Sequence, residues 1–484
     1  MVNISILSHF RDIFHTPARQ RPTLQAAFHQ PDHLPDFVRD CPAAMRLLDL
    51  LGPLHWADFP ERNLQRNWGQ PAIPFAAFSA ACLVKLNEHL VSMGDLRQYL
   101  LEHPAFIWLL GFPLVTSRRY RCGFDPQASL PSERHLSRLL RKVPPAAVQF
   151  LFRDSARLLL GFFASQGITA GECISLDTKH ILAWVKENNP KANLEQRFDN
   201  TRQPKGDPDC KLGCKRRRNQ RSSHSTPAQT PPSQPLPGSG LSVGEFYWGY
   251  GSGTVVTKVP GFGEFLLAEL TQTFDQADVS YFFPLMQQTE HILGFRPRFG
   301  TFDAAFDAWY VYDYFHRADD PAAFAAVPFV EKGGYKPDQR RFDSQGLPLC
   351  KAGLAMPLQF TYRDRTVSII EHERGKYVCP LIFPHPPGQT CPIQHPNWAK
   401  KGCTVTMPTS RGARLRYELD RDSQRYREVY KQRTAVERIN SQAFALGIER
   451  PWLRSGAAIA NLNTLIYTLI NLRLYQRLRQ QYSC

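Results

Sequence analysis

From about Lys186 to Gly240 the chain runs for roughly fifty residues with little to bury. Basic residues come first, then the stretch HSTPAQTPPSQPLPGSG, rich in Pro, Ser, Gln and Thr. Such composition cannot hide enough apolar area to offset the entropy lost on ordering, so the latter half is expected to be disordered. A core that includes residues on both sides must carry this segment as an insertion.

The two sides differ in period. Residues 1–165 read as mostly helical. FAAFSAACLVKLNEHLVSMGDLRQYLLEHPAFIWLLGF repeats apolar residues every three or four positions, with Ser92 and Asp95 placed to start helices. LPSERHLSRLLRKVPPAAVQFLFRDSARLLL continues the pattern, broken at Pro144 and Pro145. Its plainest reading is a helical bundle that only packs. The sharper one is a DNA-end-binding or dimerising domain with Arg134, Arg138, Arg141 and Lys142 on its polar face.

GECISLDTKHILAWV then reads as a buried strand around Asp177. EFYWGYGSGTVVTKV and GEFLLAELTQTF give two more strands, followed by a helix capped by Asp278. RPRFGTFDAAFDAWYVYDYF gives a fourth strand ending at Asp303 and a helix capped by Asp307. Strand, strand, strand, helix, strand, helix is the order of an RNase H-like α/β core. Residues 166–320 would form its first part, with 186–240 as the basic insertion. Residues 321–415, including RTVSIIEHERGKYVCPLIF, read as a β-rich insertion, and 416–484 as the C-terminal helical part of the core. The last apolar helix, AIANLNTLIYTLINLRLYQRL, is read as core packing. Asn461, Asn463 and Asn471 interrupt it, which argues against a membrane span.

The formal charge is +16, and two stretches hold most of it. Residues 186–221 carry a net +6 and residues 411–479 a net +8. A basic excess gathered in this way suits a polyanion partner. MVNISILSHFRDIF shows no charged region followed by an apolar run, so no signal peptide is expected. Eleven scattered cysteines without such a signal fit free thiols in a reducing cytoplasm.

Near the C-terminus YKQRTAVERIN sets Tyr430, Arg433 and Glu437 at Y-x2-R-x3-E spacing. On a helix these positions share one stripe. A carboxylate flanked by a guanidinium and a phenol suits a phosphodiester held beside a metal. Together with Asp177 and Asp303, Glu437 completes a set of three carboxylates. Each pair brought to ~4 Å costs roughly 4 kcal/mol at an effective dielectric near 20, so a cation or a bound proton is required. Oxygen-only ligands favour Mg²⁺ or Mn²⁺. Two ions ~3.5–4 Å apart activate an attacking oxygen and stabilise a leaving one, with Asp177 bridging both. Arg433 would bind phosphate through its fork of donors. Its plainest alternative is an i,i+4 pair with Glu437, worth ~0.3–0.5 kcal/mol. Tyr430 either hydrogen-bonds the same backbone or packs.

These residues resemble the DDE-type transposases of bacterial insertion sequences, in the branch whose last catalytic helix carries Y-x2-R-x3-E. The resemblance takes in IPFAAFSAACLVKLNEHL through LPSERHLSRLLRK, then ISLDTKH, DPDCKLG, FGTFDAAFDAWYVY and YKQRTAVERIN. It implies that Asp177, Asp303 and Glu437 are the catalytic triad and that Tyr430 and Arg433 contact DNA near the scissile phosphate. It further implies nicking at terminal inverted repeats and strand transfer into target DNA by a homodimer on paired ends. One position departs from the pattern. The group's fuller signature has a lysine seven residues beyond the glutamate, where this chain has Phe444. Two rivals share the core: a nuclease without strand transfer, and a catalytically silent DNA-binding derivative.

Weaker signals remain. The run Lys215, Arg216, Arg217 and Arg218 reads either as a solvated tail or as a phosphate contact. Cys379, His385, Cys391, His395 and Cys403 are spaced C-x5-H-x5-C-x3-H-x7-C and lack a tight C-x2-C pair. They read first as a loop-rich segment with incidental thiols, and structural zinc is the lesser alternative. Cys210 and Cys214 rank lower still. GYGSG lacks the G-x4-G-K-[ST] pattern, and no ATP site is expected.

Overall fold

The structure, a computed structural model, describes residues 15–16, 21–64, 71–192, 194–214, 246–330, 340–365, 369–384, 388–395, 398 and 401–482. Lys215–Arg218, the Pro-rich stretch after them and His385 lie outside the described residues. The chain is mixed α/β.

Its first third is mostly helical, with a small three-stranded sheet, and its longer helices are α1 Pro42–Leu51, α2 Phe75–Asn87, α3 Met93–Glu102, α4 Pro104–Leu109, α5 Glu133–Lys142 and α6 Pro145–Ser165. Ser92 and Asp95 close a capping box on α3, satisfying two N-terminal N–H groups reciprocally. Pro144 and Pro145 separate α5 from α6 as the pattern requires, since proline supplies no N–H to continue the helix. Arg134, Arg138, Arg141 and Lys142 are all exposed on α5, opposite the buried Leu136, Leu139 and Leu140.

The sheet that positions the site has six strands: β1 Cys173–Leu182, β2 Lys211–Cys214, β3 Phe246–Val259, β4 Gly263–Thr273, β5 Phe299–Thr301 and, after two helices, β6 Phe324–Ala326. The helices are α7 Phe282–Leu293 and α8 Trp309–Phe315. The main path runs β2-β3-β1-β5-β6, with β4 also paired to β3. β3 is antiparallel to both of its long neighbours, β1 and β4, whereas β1, β5 and β6 run parallel. Both faces are covered. Val256 and Leu266 join the core of the front helices, while their neighbours Val255 and Phe265 join the core built around Phe282, Phe302 and Phe315. The glycines of GYGSG belong to β3, where Tyr281 lies across the strand. A Cβ on Gly251 would sit 2.5 Å from its hydroxyl, and one on Gly253 would sit 2.4 Å from its ring. Close packing accounts for those glycines without a nucleotide.

Beyond β6 come β7 Leu358–Asp364, β8 His372–Val378 and β9 Thr404–Pro408, a separate three-stranded antiparallel sheet. The chain then forms α9 Arg411–Glu418, α10 Gln424–Tyr430, α11 Thr434–Ala445 and α12 Gly456–Tyr482. β6 lies within the stretch expected to be insertion, yet pairs with β5 in the main sheet. The three asparagines of α12 are fully buried and bonded. Asn461 donates to the carbonyls of Leu140 and Val143, Asn463 to Thr271, and Asn471 both donates to and accepts from the Leu266 backbone. Among the described residues no helix is long and apolar enough to cross a membrane.

Two expected caps do other work. Asp278 opens a 3-10 turn, Asp278–Tyr281, ahead of α7 instead of capping the helix, and accepts from the Thr178 hydroxyl at 2.6 Å. Asp307 is buried and takes both Nε and Nη2 of Arg416, at 2.8 and 2.5 Å, plus the Tyr312 hydroxyl. α8 begins without a side-chain cap.

Candidate active site

Parallel pairing of β1 and β5 sets the first half of the site. The register matches Cys173 with Phe299 and Ser175 with Thr301. Extended by two residues, it places Asp303 across from Asp177. Side chains alternate faces along a strand, so Asp177 shares a face with Ser175 and Asp303 with Thr301. Thr301 donates to Ser175 at 2.8 Å, and Ser175 donates onward to the Gln432 carbonyl at 3.0 Å. That last bond fastens the helical segment carrying Arg433 to the same face.

Tyr430 ends α10, Arg433 ends a 3-10 turn spanning Lys431–Arg433, and Glu437 lies in the first turn of α11. The expected single helix is therefore two helices joined by a tight turn. The backbone stays in the right-handed helical region throughout, which preserves the stripe. Arg433 bridges two of the carboxylates. Its Nη1 meets Glu437 at 2.8 Å and its Nη2 lies 3.9 Å from Asp177. Tyr430 stacks on Tyr426, which stacks in turn on Phe324 of β6.

The electrostatics follow from this gathering. Burial pushes the Asp177 carboxyl up to about 7, and the charges of Asp303 and Asp278 add to the rise. Arg433 and the Thr178 N–H act the other way. Asp303 is raised by burial and then by Asp278, against the Ala305 N–H that it accepts at 2.9 Å. Burial also raises the Tyr430 phenol. The Arg433 guanidinium resists burial because the carboxylates, Asp177 foremost, hold its proton.

Asp177, Asp303, Arg433 and Tyr430 are thus within electrostatic reach of one another. Glu437 is turned to Arg433, with 54 % of its side chain exposed against 18 % for Asp177. Among the described residues no three His, Cys, Asp or Glu side chains already stand at ion-holding distances. Between Asp177 and Glu437 the positive charge is the guanidinium itself. The donor set still fits a hard divalent cation. It consists of carboxylate oxygens, Asp177 and Asp303 are close enough to raise one another's burden of negative charge, and an unpartnered buried oxygen, Oδ1 of Asn440, stands beside Asp177.

Two residues beyond the expected set belong here. Asn440 donates to Asp177 at 3.3 Å and follows Glu437 by one helical turn, a spacing readable in the sequence. Asp278 comes in through Thr178, a long-range pairing with no local signal. Phe444, where the resemblance expects lysine, is partly exposed. The ammonium of Lys179, on the same face of β1 as Asp177, lies 5.5 Å over its ring and pairs with Glu449 at 3.6 Å. Part of the basic excess of 411–479 is already engaged: Arg416 with Asp307, Arg438 with Glu264, and Arg479 with Asp49.

No protein-family model matches the chain, and no curated protein is similar enough in sequence to count as a relative.

Proposed function

We propose that the protein is a DDE-type DNA transposase with an RNase H-like core, nicking the ends of its element and joining them to target DNA. The observation that carries this reading is the gathering of Asp177 from β1, Asp303 from just beyond β5 and Glu437 from α11 around the Arg433 guanidinium. The sheet supports it. Read as β4-β3-β1-β5-β6, it has three antiparallel strands followed by parallel ones, with the acidic residues on the central pair.

Asp177, Asp303 and Glu437 would hold Mg²⁺ or Mn²⁺, two ions in all, which when bound supply Lewis acidity and an ionised attacking oxygen. For Glu437 to serve, Arg433 releases it. The freed guanidinium then faces the scissile phosphate with two donors in a fixed fork. Asn440 steadies Asp177 in its ionised form. Tyr430, held by its aromatic stack, offers a hydroxyl to the adjoining phosphate. Lys179 brings a cation to the place where the transposase pattern has one, delivered from β1 and not from α11. Partners on this reading are double-stranded DNA, as terminal inverted repeats and as target, and a second copy of the chain. Residues 1–165 would bind ends or dimerise.

A duplex bearing the source element's terminal repeats tests the proposal. Mg²⁺-dependent nicking with joined product supports it. Nicking alone favours the nuclease, and binding without cleavage the silent derivative. In the same assay Asp303→Ala abolishes cleavage and leaves end binding within about twofold. Cleavage that persists removes Asp303 from the site.

A further inference from the structure

We infer that Cys350, Cys379, Cys391 and Cys403 form a tetrathiolate zinc site that staples the β7–β9 sheet to the loop before it. This site is independent of the carboxylate cluster and of the transposase reading. The four thiols come from four places in sequence and line one small cavity together with His395 and Trp398. At about 10 Å³ it has room for one water-sized particle and nothing larger.

Local backbone explains how they meet. Cys379 follows the last residue of β8 and Cys403 precedes the first of β9, and those terminal residues, Val378 and Thr404, are paired. The strand ends approach so closely that a Cβ on Gly402, at φ +65°, would lie 2.6 Å from that of Cys379. Cys350 and Cys391 each begin a tight turn, with Gly353 N–H donating to the Cys350 carbonyl at 2.9 Å and Gln394 N–H to that of Cys391 at 3.0 Å. Both turns close in the left-handed region, Gly353 at φ +80° and Gln394 at φ +44°.

Stability supplies the reason. Among the described residues of the segment the buried apolar side chains are few: Met356, Tyr377, Val378, Leu381 and Met407, with Ala413 of α9 and two of the cysteines themselves. So small a core needs a cross-link. The ten described cysteines form no disulfide. Four soft sulfurs select Zn²⁺ over Mg²⁺, with Zn–S near ~2.3 Å. The thiols stand near one another but not yet at coordinating distance. Closure on the ion, with loss of the four thiol protons, is therefore coupled to ordering of the loop.

The full chain, purified under reducing conditions and supplied with Zn²⁺, should retain one equivalent after dialysis. Exchange for Co²⁺ should give thiolate-to-cobalt charge-transfer bands and tetrahedral ligand-field bands, and X-ray absorption should count four sulfurs. Cys350→Ser should lose the metal, whereas Cys82→Ser, in α2, keeps it. Wild-type chain that stays metal-free, a shell with fewer than four sulfurs, or full retention by Cys350→Ser would overturn the assignment.

Discussion

At Asp177 burial, Asp303 and Asp278 raise the carboxyl while the Arg433 guanidinium and the Thr178 N–H oppose them, and the balance is readable in solution. A carboxyl held at about 7 when folded and ~3.9 when unfolded binds its proton more tightly in the folded state. Its contribution to stability is therefore full below pH ~4 and lost as the pH climbs through ~7. Glu269 behaves alike, pushed up to about 7 by burial against the donors Thr464 and Gln149, so two groups titrate in one window. Asp177→Asn removes the first. Denaturant midpoints should coincide with those of the parent near pH 4. At pH 8 the variant should be the more stable, by up to about 4 kcal/mol. Excess Mg²⁺ should narrow that gap by stabilising the parent alone. A variant no more stable than the parent at pH 8 would mean that Asp177 is not held in a raised state.

Among the elements, α12 shows how an interruption in an apolar pattern acquires a structural task. Asn471 meets both backbone groups of Leu266 on the β4 edge that faces away from β3, closing an edge that would otherwise be buried unpaired. Asn471→Ala strands an N–H and a carbonyl. It should cost about 1–3 kcal/mol for each group, read as a lowered denaturant midpoint at unchanged slope. The sequence marks this residue as polar within an apolar helix, which argues against a membrane span, but nothing in it names Leu266, 205 positions away. The same limit explains Asp278 and Asp307. An aspartate before a helix looks like a cap, whereas the folded chain gives these two to Thr178 and Arg416, 100 and 109 positions off. Local chemistry was legible where partners are neighbours, as in the Ser92–Asp95 box and the Arg433–Glu437 pair. Asp177 and Asp303 were also legible as candidates, because each follows a run of β-branched and apolar residues. Their equal register was not, since it depends on which strands become parallel neighbours.

For the whole molecule the decisive quantity is where positive charge remains available. Several arginines of the C-terminal stretch are engaged in internal pairs, the buried Arg416–Asp307 contact above all. The residues Lys215, Arg216, Arg217 and Arg218 then weigh more in any contact with DNA than their share of the +16 suggests. Each phosphate neutralised by such a residue releases counterions and adds about 0.9 to the slope of log K against log salt. Replacing all four by alanine should reduce that slope by up to ~4 on a duplex of any sequence. Affinity should weaken most at low salt. Cleavage per bound complex should be unchanged, because none of the four belongs to the proposed catalytic set. Titrations of a labelled duplex between low and physiological salt measure the slope, and single-turnover nicking at saturating protein measures the chemistry. An unchanged slope would remove the four from any contact with DNA, and the exposed Arg134, Arg138 and Arg141 of α5 become the next substitutions to test.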